Sequence, residues 1–277
     1  MQIPAWQFLA CIFFAAVWHD MASLLRRSTA GLGRYTNMKA SLPPFFSSLN
    51  PPKSSPFSTT LTANKMSPHS TSPSTSTSAD TFLSALATRR SNYALTSTSP
   101  IPDSRIQHII NQSILHAPSA FNSQSTRIVL LLKNEHQKLW DITRDVLKEV
   151  VPADQFPKTE AKIASFRAAY GTVLFYTDHA TLRIYQEKFA LYADRFPTWG
   201  TESTAMHQLA VWTALNLEGL GANLQHYNPL VDERVAKEWG VSKDWELMSM
   251  LVFGAPVAEP GVRTYEGVES RVRVFGA

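Results

Sequence analysis

From residue 80 onward the chain alternates between stretches with an apolar residue every three or four positions and short runs that are apolar throughout. The first spacing predicts amphipathic helices, and the second predicts buried strands. Phe82, Leu83 and Leu86 mark a helix that begins near Asp80 and runs into the polar string TRRSNY at 88–93. Pro102 stands near the start of a second helix, Asp103 suits its positive end, and Ile106, Ile109, Ile110 and Ile114 form its stripe. The polar loop APSAFNSQS, 117–125, leads into Ile128–Leu132, a strand covered on both faces. Leu139, Ile142, Val146 and Val150 align on a helix over 135–150, and another helix is expected from about Thr159 to Ala169. Gly171 breaks it before the strand TVLFYTD, 172–178. Helices follow over about 180–195 and 201–218, the latter with Met206, Leu209, Ala210, Thr213 and Leu217 on one face and Gly219 and Gly221 at its end. ANLQHYNP reads as strand into turn, a short helix begins near Asp232, ELMSMLVFGAP at 246–256 is the last strand, and ESRVRVF closes the chain.

That order is helix-rich, with three or four central strands and no strict β-α-β alternation. It predicts an α+β domain with helices packed around a small sheet. No G-x-G-x-x-G follows a strand, so a dinucleotide-binding crossover is not supported, and no G-x-S-x-G elbow appears.

Composition changes the picture mainly before residue 80. Phe8–Trp18 is apolar and of signal-peptide length, but no basic side chain precedes it, and it is too short to span a bilayer. From Met21, an alternative start, the text MASLLRRSTAGLGRYTNMKASL is rich in Arg and Ser and free of acids, the profile of an organelle transit peptide. Leu42–Ala79 is dominated by Ser, Thr and Pro and has too little apolar surface to fold. The expected organisation is a disordered arm, 1–79, ahead of one folded domain, 80–277. Six of the 26 Lys and Arg but only two of the 22 Asp and Glu fall in residues 1–80, which leaves 20 of each sign beyond. The domain is neutral, and the basic pI gives no support for a nucleic-acid surface. Cys11 is the only cysteine, so the domain has no thiolate nucleophile and no cysteine-zinc site. The eight histidines show no paired metal-ligand spacing, so no metal is expected.

Two basic clusters remain as candidate chemistry. Arg89, Arg90 and Ser91 end the first helix, where they either complement its negative terminus or offer guanidinium forks and a hydroxyl to a phosphate. Arg271 and Arg273 alternate in SRVRVF, which places them on one face of an extended segment, as in any edge strand. Taken together, TRRSNY, APSAFNSQSTRIVLL, GLGANLQHYNP and SRVRVF, in that order and spacing, resemble the FMN-dependent nitroreductase family from about Asp80 to Phe275. The resemblance is to its small fungal and bacterial branch, named for fatty-acid repression mutants. PSAFNSQ and GANLQHYNP are the most specific matches.

The resemblance implies a nitroreductase-like α+β fold with a small mixed or antiparallel sheet surrounded by helices, in an intertwined homodimer. It implies FMN as cofactor, NADH or NADPH as reductant, and reduction of nitroaromatic or quinone-like compounds, with a role in oxidative stress. By position, Arg89, Arg90, Ser91, Arg271 and Arg273 would grip the flavin phosphate. Pro118, Ser119, Ala120 and Asn122 would hold the ring of the partner's flavin, and Gln225, His226 and Tyr227 would lie near its reactive nitrogen. The flavin carries the chemistry, so no catalytic side chain is assigned, and His226 is given no proton-transfer role. Two positions depart from the pattern: Tyr93 stands where many relatives have a basic residue, and Ser125-Thr126 stand where Trp or Pro often follows N-S-Q. A low-turnover flavin-fold regulator in lipid signalling stays open beside the enzyme, as does an anionic lipid on the same arginines. Localisation follows the arm: mitochondrial if 21–65 is a transit peptide, otherwise the cytoplasm and nucleus usual for fungal members.

Overall fold

The computed structural model describes residues 78–277. The expectations for a disordered arm and a targeting stretch at 21–65 lie outside these residues, except that Ser78 and Ala79 already belong to the first helix. In chain order the elements are α1 (Ser78–Thr88), β1 (Leu95–Thr96), α2 (Asp103–His116), β2 (Thr126–Leu132), α3 (Lys133–Val150), α4 (Phe156–Arg167) and β3 (Gly171–Asp178). Then come α5 (His179–Lys188), α6 (Phe196–Leu217), β4 (Gly221–Gln225), α7 (Asp232–Trp239) and β5 (Trp245–Pro256). Short 3-10 turns at Ala120–Asn122 and Ala190–Arg195 join α2 to β2 and α5 to α6. Among the described residues no helix is long and apolar enough to cross a membrane.

All strand pairs are antiparallel, and β5 is the hub. β3 lies along one side of it, from Gly171 opposite Phe253 to Asp178 opposite Trp245. β2 pairs with β3 and forms an edge. The other side of β5 takes β4, with Gly221 opposite Gly254, and then the two residues of β1, which carry no sequence pattern and were not expected. Every residue of β3 is buried, with Val173–Tyr176 covered on both faces, whereas Ile128–Leu132, expected to be so covered, lies on the edge strand β2 and is mostly half-buried because one side has no further strand.

Alternation along the strands divides the core in two. Leu174, Tyr176, Met250 and Val252 face α3, α4 and α7, where Leu139, Trp140, Ile163, Phe166, Val231 and Val235 close over them. Val173, Phe175, Leu251 and Phe253 face α2 and α6, where Ile106, Ile109, Ile110, Val211 and Leu215 pack.

Several expectations need correction. The helix expected over 180–195 stops at Lys188, and α6 starts at Phe196 with Pro197 in its first turn, not at residue 201. Its expected apolar stripe is also largely misplaced: Thr213 is buried, but Met206, Leu209 and Leu217 are exposed, at 39%, 45% and 65%. The rest of the buried row is Phe196, Gly200, Ser203, Thr204, His207, Val211 and Leu215. Polar residues can occupy it because they satisfy themselves locally. Ser203 Oγ donates to the Trp199 carbonyl (2.8 Å), Thr204 Oγ1 donates to the Gly200 carbonyl (3.0 Å), and His207 Nδ1 bonds the Ser203 carbonyl (2.7 Å). Gly200 itself lets α6 approach α5, since a Cβ there would sit 2.9 Å from Leu182 Cδ1. Ile114 and Val150, the last members of their stripes, are exposed, and on α1 it is Ala85, not Phe82 or Leu83, that is buried. The closing SRVRVF is not a strand: Arg271 sits in a turn, its N–H donating to the Val268 carbonyl (2.9 Å), and Arg273 follows in unpaired, exposed chain.

Candidate functional site

The end of α1 turns along β4 and stays there. Ser91 bridges to Ala222, the Asn92 N–H donates to the Ala222 carbonyl (2.9 Å), and Asn223 Nδ2 donates to the Asn92 carbonyl (2.7 Å). Gln225 Nε2 donates to Asn223 Oδ1 (2.8 Å), which completes a buried amide ladder. Gly221 permits the approach, because a Cβ there would lie 2.8 Å from Leu95 Cδ2 and 2.9 Å from Asn92 Cβ. Two of the sequence-predicted segments, Arg89–Ser91 and the strand ending at Gln225, therefore meet in one seam.

The seam is strongly cationic. The Arg89 guanidinium carbon lies 4.4 Å from the centre of the Trp212 ring. Burial holds the Arg89 pKa below its usual value, and the charges of Arg263 and Arg90 add to that. Arg263 Nη2 donates to the Arg89 carbonyl (2.8 Å), and Arg90 donates to the Gly261 carbonyl. Twelve arginines lie in the described residues. Arg105, Arg127, Arg144, Arg167, Arg183, Arg195 and Arg234 each hold a carboxylate. Arg89, Arg90, Arg263, Arg271 and Arg273 have no ion pair among the described residues. Four of these five were picked out in the sequence, and Arg263 was missed because it sits in chain without pattern. Trp212, Asn92 and Asn223 were missed as well, since their roles come from contacts across strands.

The loop after α2 is a second candidate feature. Phe121, Asn122 and Gln124 all have left-handed backbone, with φ of 55°, 53° and 50°. Such conformations cost on the order of 1–3 kcal/mol each away from glycine and persist only where surroundings enforce them. Here Ser119 Oγ accepts from the Gln124 N–H (2.9 Å), the Ser119 carbonyl accepts from the Asn122 N–H (2.9 Å), and Tyr185 Oη donates to the Asn122 carbonyl (3.3 Å). The Phe121 ring is clamped between Phe189, Phe196 and Trp199 at centroid distances of 4.5, 5.6 and 5.7 Å. Pro118 and Asn122 are exposed, and Ser119 and Ala120 are half-buried. Among the described residues no hydrogen bond joins this loop to the Arg89–Gln225 seam.

Other predicted residues fall elsewhere. The Tyr227 ring turns away from the seam and packs against Trp140 (5.7 Å) and Phe166 (6.4 Å), where burial raises its pKa. His226 is exposed at the surface, although the packing beside its ring lowers its pKa. Arg271 and Arg273 are solvent-exposed and hydrogen-bond to none of the seam residues.

Residues 86–255 match the model of the nitroreductase family. The chain belongs to the nitroreductase family. It is by that membership an oxidoreductase with the nitroreductase-like fold. Over 198 residues, 70% of this chain and 97% of the relative, it is 35% identical to HBN1 of Saccharomyces cerevisiae. Nitroreductase CinD from Lactococcus lactis, solved with chloramphenicol, superposes with a TM-score of 0.65 at 40% identity, covering 70% of this chain and 99% of that one. A Desulfovibrio desulfuricans protein solved in complex with FMN shares the fold alone, with a TM-score of 0.52 at 15% identity, and covers 70% of this chain and 97% of its own. The cationic seam suits a phosphate: Arg89, Arg90 and Arg263 meet there with no ion pair among the described residues. The residues present fit a flavin mononucleotide.

Proposed function

We propose that this nitroreductase is an FMN-dependent homodimer that takes electrons from NADH or NADPH and reduces nitroaromatic or quinone-like compounds. The observation that carries the reading is the seam: arginines drawn to one place without carboxylates, beside a Ser hydroxyl and a sheet edge. A dianion there removes the repulsion that Arg89 and Arg90 otherwise feel. Arg89 and Arg90 bind the phosphate, Ser91 adds a hydroxyl, and Trp212 fixes the plane of the Arg89 guanidinium. The Gln225–His226 strand end borders the ring. Bound flavin supplies the two-electron chemistry, so no side-chain nucleophile is required.

Among the described residues the loop at 118–122 makes no hydrogen bond to the seam of its own chain, which supports a site completed by a second copy. Apolar exposure supports the same assembly. Leu115 on α2, together with Leu209 and Leu217 on α6, leaves apolar surface on one side of the sheet, and Val262, Val274 and Phe275 of the C-terminal segment are exposed as well. Nitroreductase CinD, 40% identical to this chain, is solved in complex with chloramphenicol, a nitroaromatic, and this supports the substrate class.

The test is direct. Purified protein should be yellow, release a flavin that co-elutes with FMN, and oxidise NADH or NADPH only when a nitroaromatic or quinone acceptor is added. Colourless protein with no turnover after FMN is added back would remove the enzyme reading. Yellow protein without turnover would favour the regulatory alternative. A fusion of residues 21–65 to a fluorescent protein tests the mitochondrial address, and diffuse fluorescence would point to cytoplasm and nucleus.

A further inference from the structure

We infer that Arg263 is a third arm of the phosphate site, brought onto Arg89 and Arg90 by the C-terminal segment; this rests on the flavin reading above. The two segments are cross-tied. Arg263 donates to the carbonyl of Arg89, while Arg90 donates to the carbonyl of Gly261. Neither tie uses a carboxylate, and each leaves most of a guanidinium's five N–H donors free.

Placing a third cation beside two others is unfavourable unless an anion belongs there. Sequence neighbours offered an easier arrangement. Glu259 and Glu266 stand four residues before and three residues after Arg263, yet neither forms an ion pair with it among the described residues. The side chain instead points toward Arg89, close enough to help depress that group's pKa. A phosphate monoester with two negative charges matches three converging guanidinium groups in charge and in donor number. The ties to the Arg89 and Gly261 carbonyls hold residues 261–263 against the end of α1, so the segment acts as a strap over the phosphate. Arg271 and Arg273, which the family resemblance places at the phosphate, stand exposed farther along the same segment. The structure assigns the first contact from this segment to Arg263.

The experiment titrates flavin-stripped full-length protein with FMN and with riboflavin, following quenching of flavin fluorescence, for wild type, Arg263→Ala, Arg263→Lys and Arg271→Ala. Inorganic phosphate serves as competitor. Arg263→Ala should weaken FMN by about ten- to a hundred-fold, the effect of one charge-assisted hydrogen bond, and leave riboflavin affinity unchanged. Arg263→Lys, which keeps the charge without the fork, should fall between, and phosphate should compete with FMN in the wild type at lower concentration than in Arg263→Ala. Thermal midpoints without ligand should agree across the set, because residue 263 lies outside every helix and strand. If Arg263→Ala binds FMN as wild type does, or loses FMN and riboflavin alike, the assignment is overturned while the flavin reading stands. A wild type that binds neither flavin overturns the flavin reading and this assignment together.

Discussion

The two faces of the sheet are built from similar helices and yet differ in what they leave at the surface. Under α3, α4 and α7 the chain seals itself, and Val150 is the one large apolar side chain exposed on those three helices. That sealed face holds buried His136 and Tyr176 and half-buried Tyr227 and Asp232, all with pKa values shifted by burial, whereas the other face buries one such group among the described residues, His207 of α6. On the opposite face α2 and α6 cover an aliphatic and phenyl core, beside the buried polar row of α6, but expose Ile114, Leu115, Met206, Leu209 and Leu217 outward. The candidate flavin contacts cluster there too: Trp212 belongs to α6, the strained loop follows α2, and its aromatic clamp includes Phe196 and Trp199 of α6. On the proposed function, one face carries stability, and the other carries the proposed ligand and partner contacts. Changes on the first should shift unfolding without touching flavin, and changes on the second should do the reverse.

The largest expected effect belongs to the sealed face. His136 is fully buried, with Nδ1 bonded to Thr172 Oγ1 (2.8 Å) and Nε2 without a partner. The carbonyls of Arg167 and Phe166 lie close enough to oppose its pKa shift in part, without hydrogen-bonding geometry to Nε2, and burial prevails. The folded protein keeps this ring neutral down to about 4, whereas in the unfolded chain it protonates near 6.5. The unfolded state thus binds the extra proton between those values, and stability is lost as pH falls from about 6.5 toward about 4. The loss is on the order of 3 kcal/mol. Urea unfolding at pH 7 and pH 4.5 measures it, and His136→Leu should remove most of the difference. An unchanged pH slope in that variant would show that other groups carry it.

The next effect belongs to the open face. Arg89→Ala should weaken FMN by about ten- to a hundred-fold, or about 1.5–3 kcal/mol, with riboflavin little altered. Its unfolding free energy should stay within about 0.5 kcal/mol of wild type apart from the lost Trp212 contact. Full FMN retention by dialysed Arg89→Ala would break the division of labour between the faces.

A smaller effect returns to the sealed face with the opposite sign. Burial, and secondarily the charge of Glu246, pushes the Asp232 carboxyl up to about 6 from its usual 3.8. Its contribution is present below 3.8 and is lost as pH rises through about 6, so at pH 7.5 the ionised group is a liability. Allowing for solvent screening of a half-buried group, Asp232→Asn should stabilise the protein by about 1 kcal/mol at pH 7.5 and by nothing at pH 3.5. Its slope opposes that of His136 between pH 4 and 6, so the two variants must be measured separately.

The smallest change in stability should accompany a large change in assembly. Leu209→Glu alters an exposed side chain and should leave chain unfolding within about 0.5 kcal/mol. Light scattering should nevertheless show it as a monomer where wild type is a dimer. A dimeric Leu209→Glu would move the interface off α6.

The α+β class, the positions of most helices and the buried strands β3 and β5 could be read from apolar spacing, because burial on a sheet or helix face imposes its period on the residues. The basic cluster at Arg89–Ser91 and the unusual loop at 118–122 were also legible, because guanidinium pairs and turn-forming residues announce themselves without tertiary context. What spacing could not reveal was the inward face of α6. Ser203, Thr204 and His207 are polar by type and buried by virtue of bonds to their own helix, while Met206, Leu209 and Leu217 are apolar and face outward. Nor could it reveal that Gly221 admits Asn92, that Trp212 lies under Arg89, or that Arg263 turns to Arg89 and leaves its own neighbouring glutamates unpaired. Those contacts join residues more than a hundred positions apart. Only the packing of the sheet and its helices brings them within reach, and local sequence carries no record of a partner that distant.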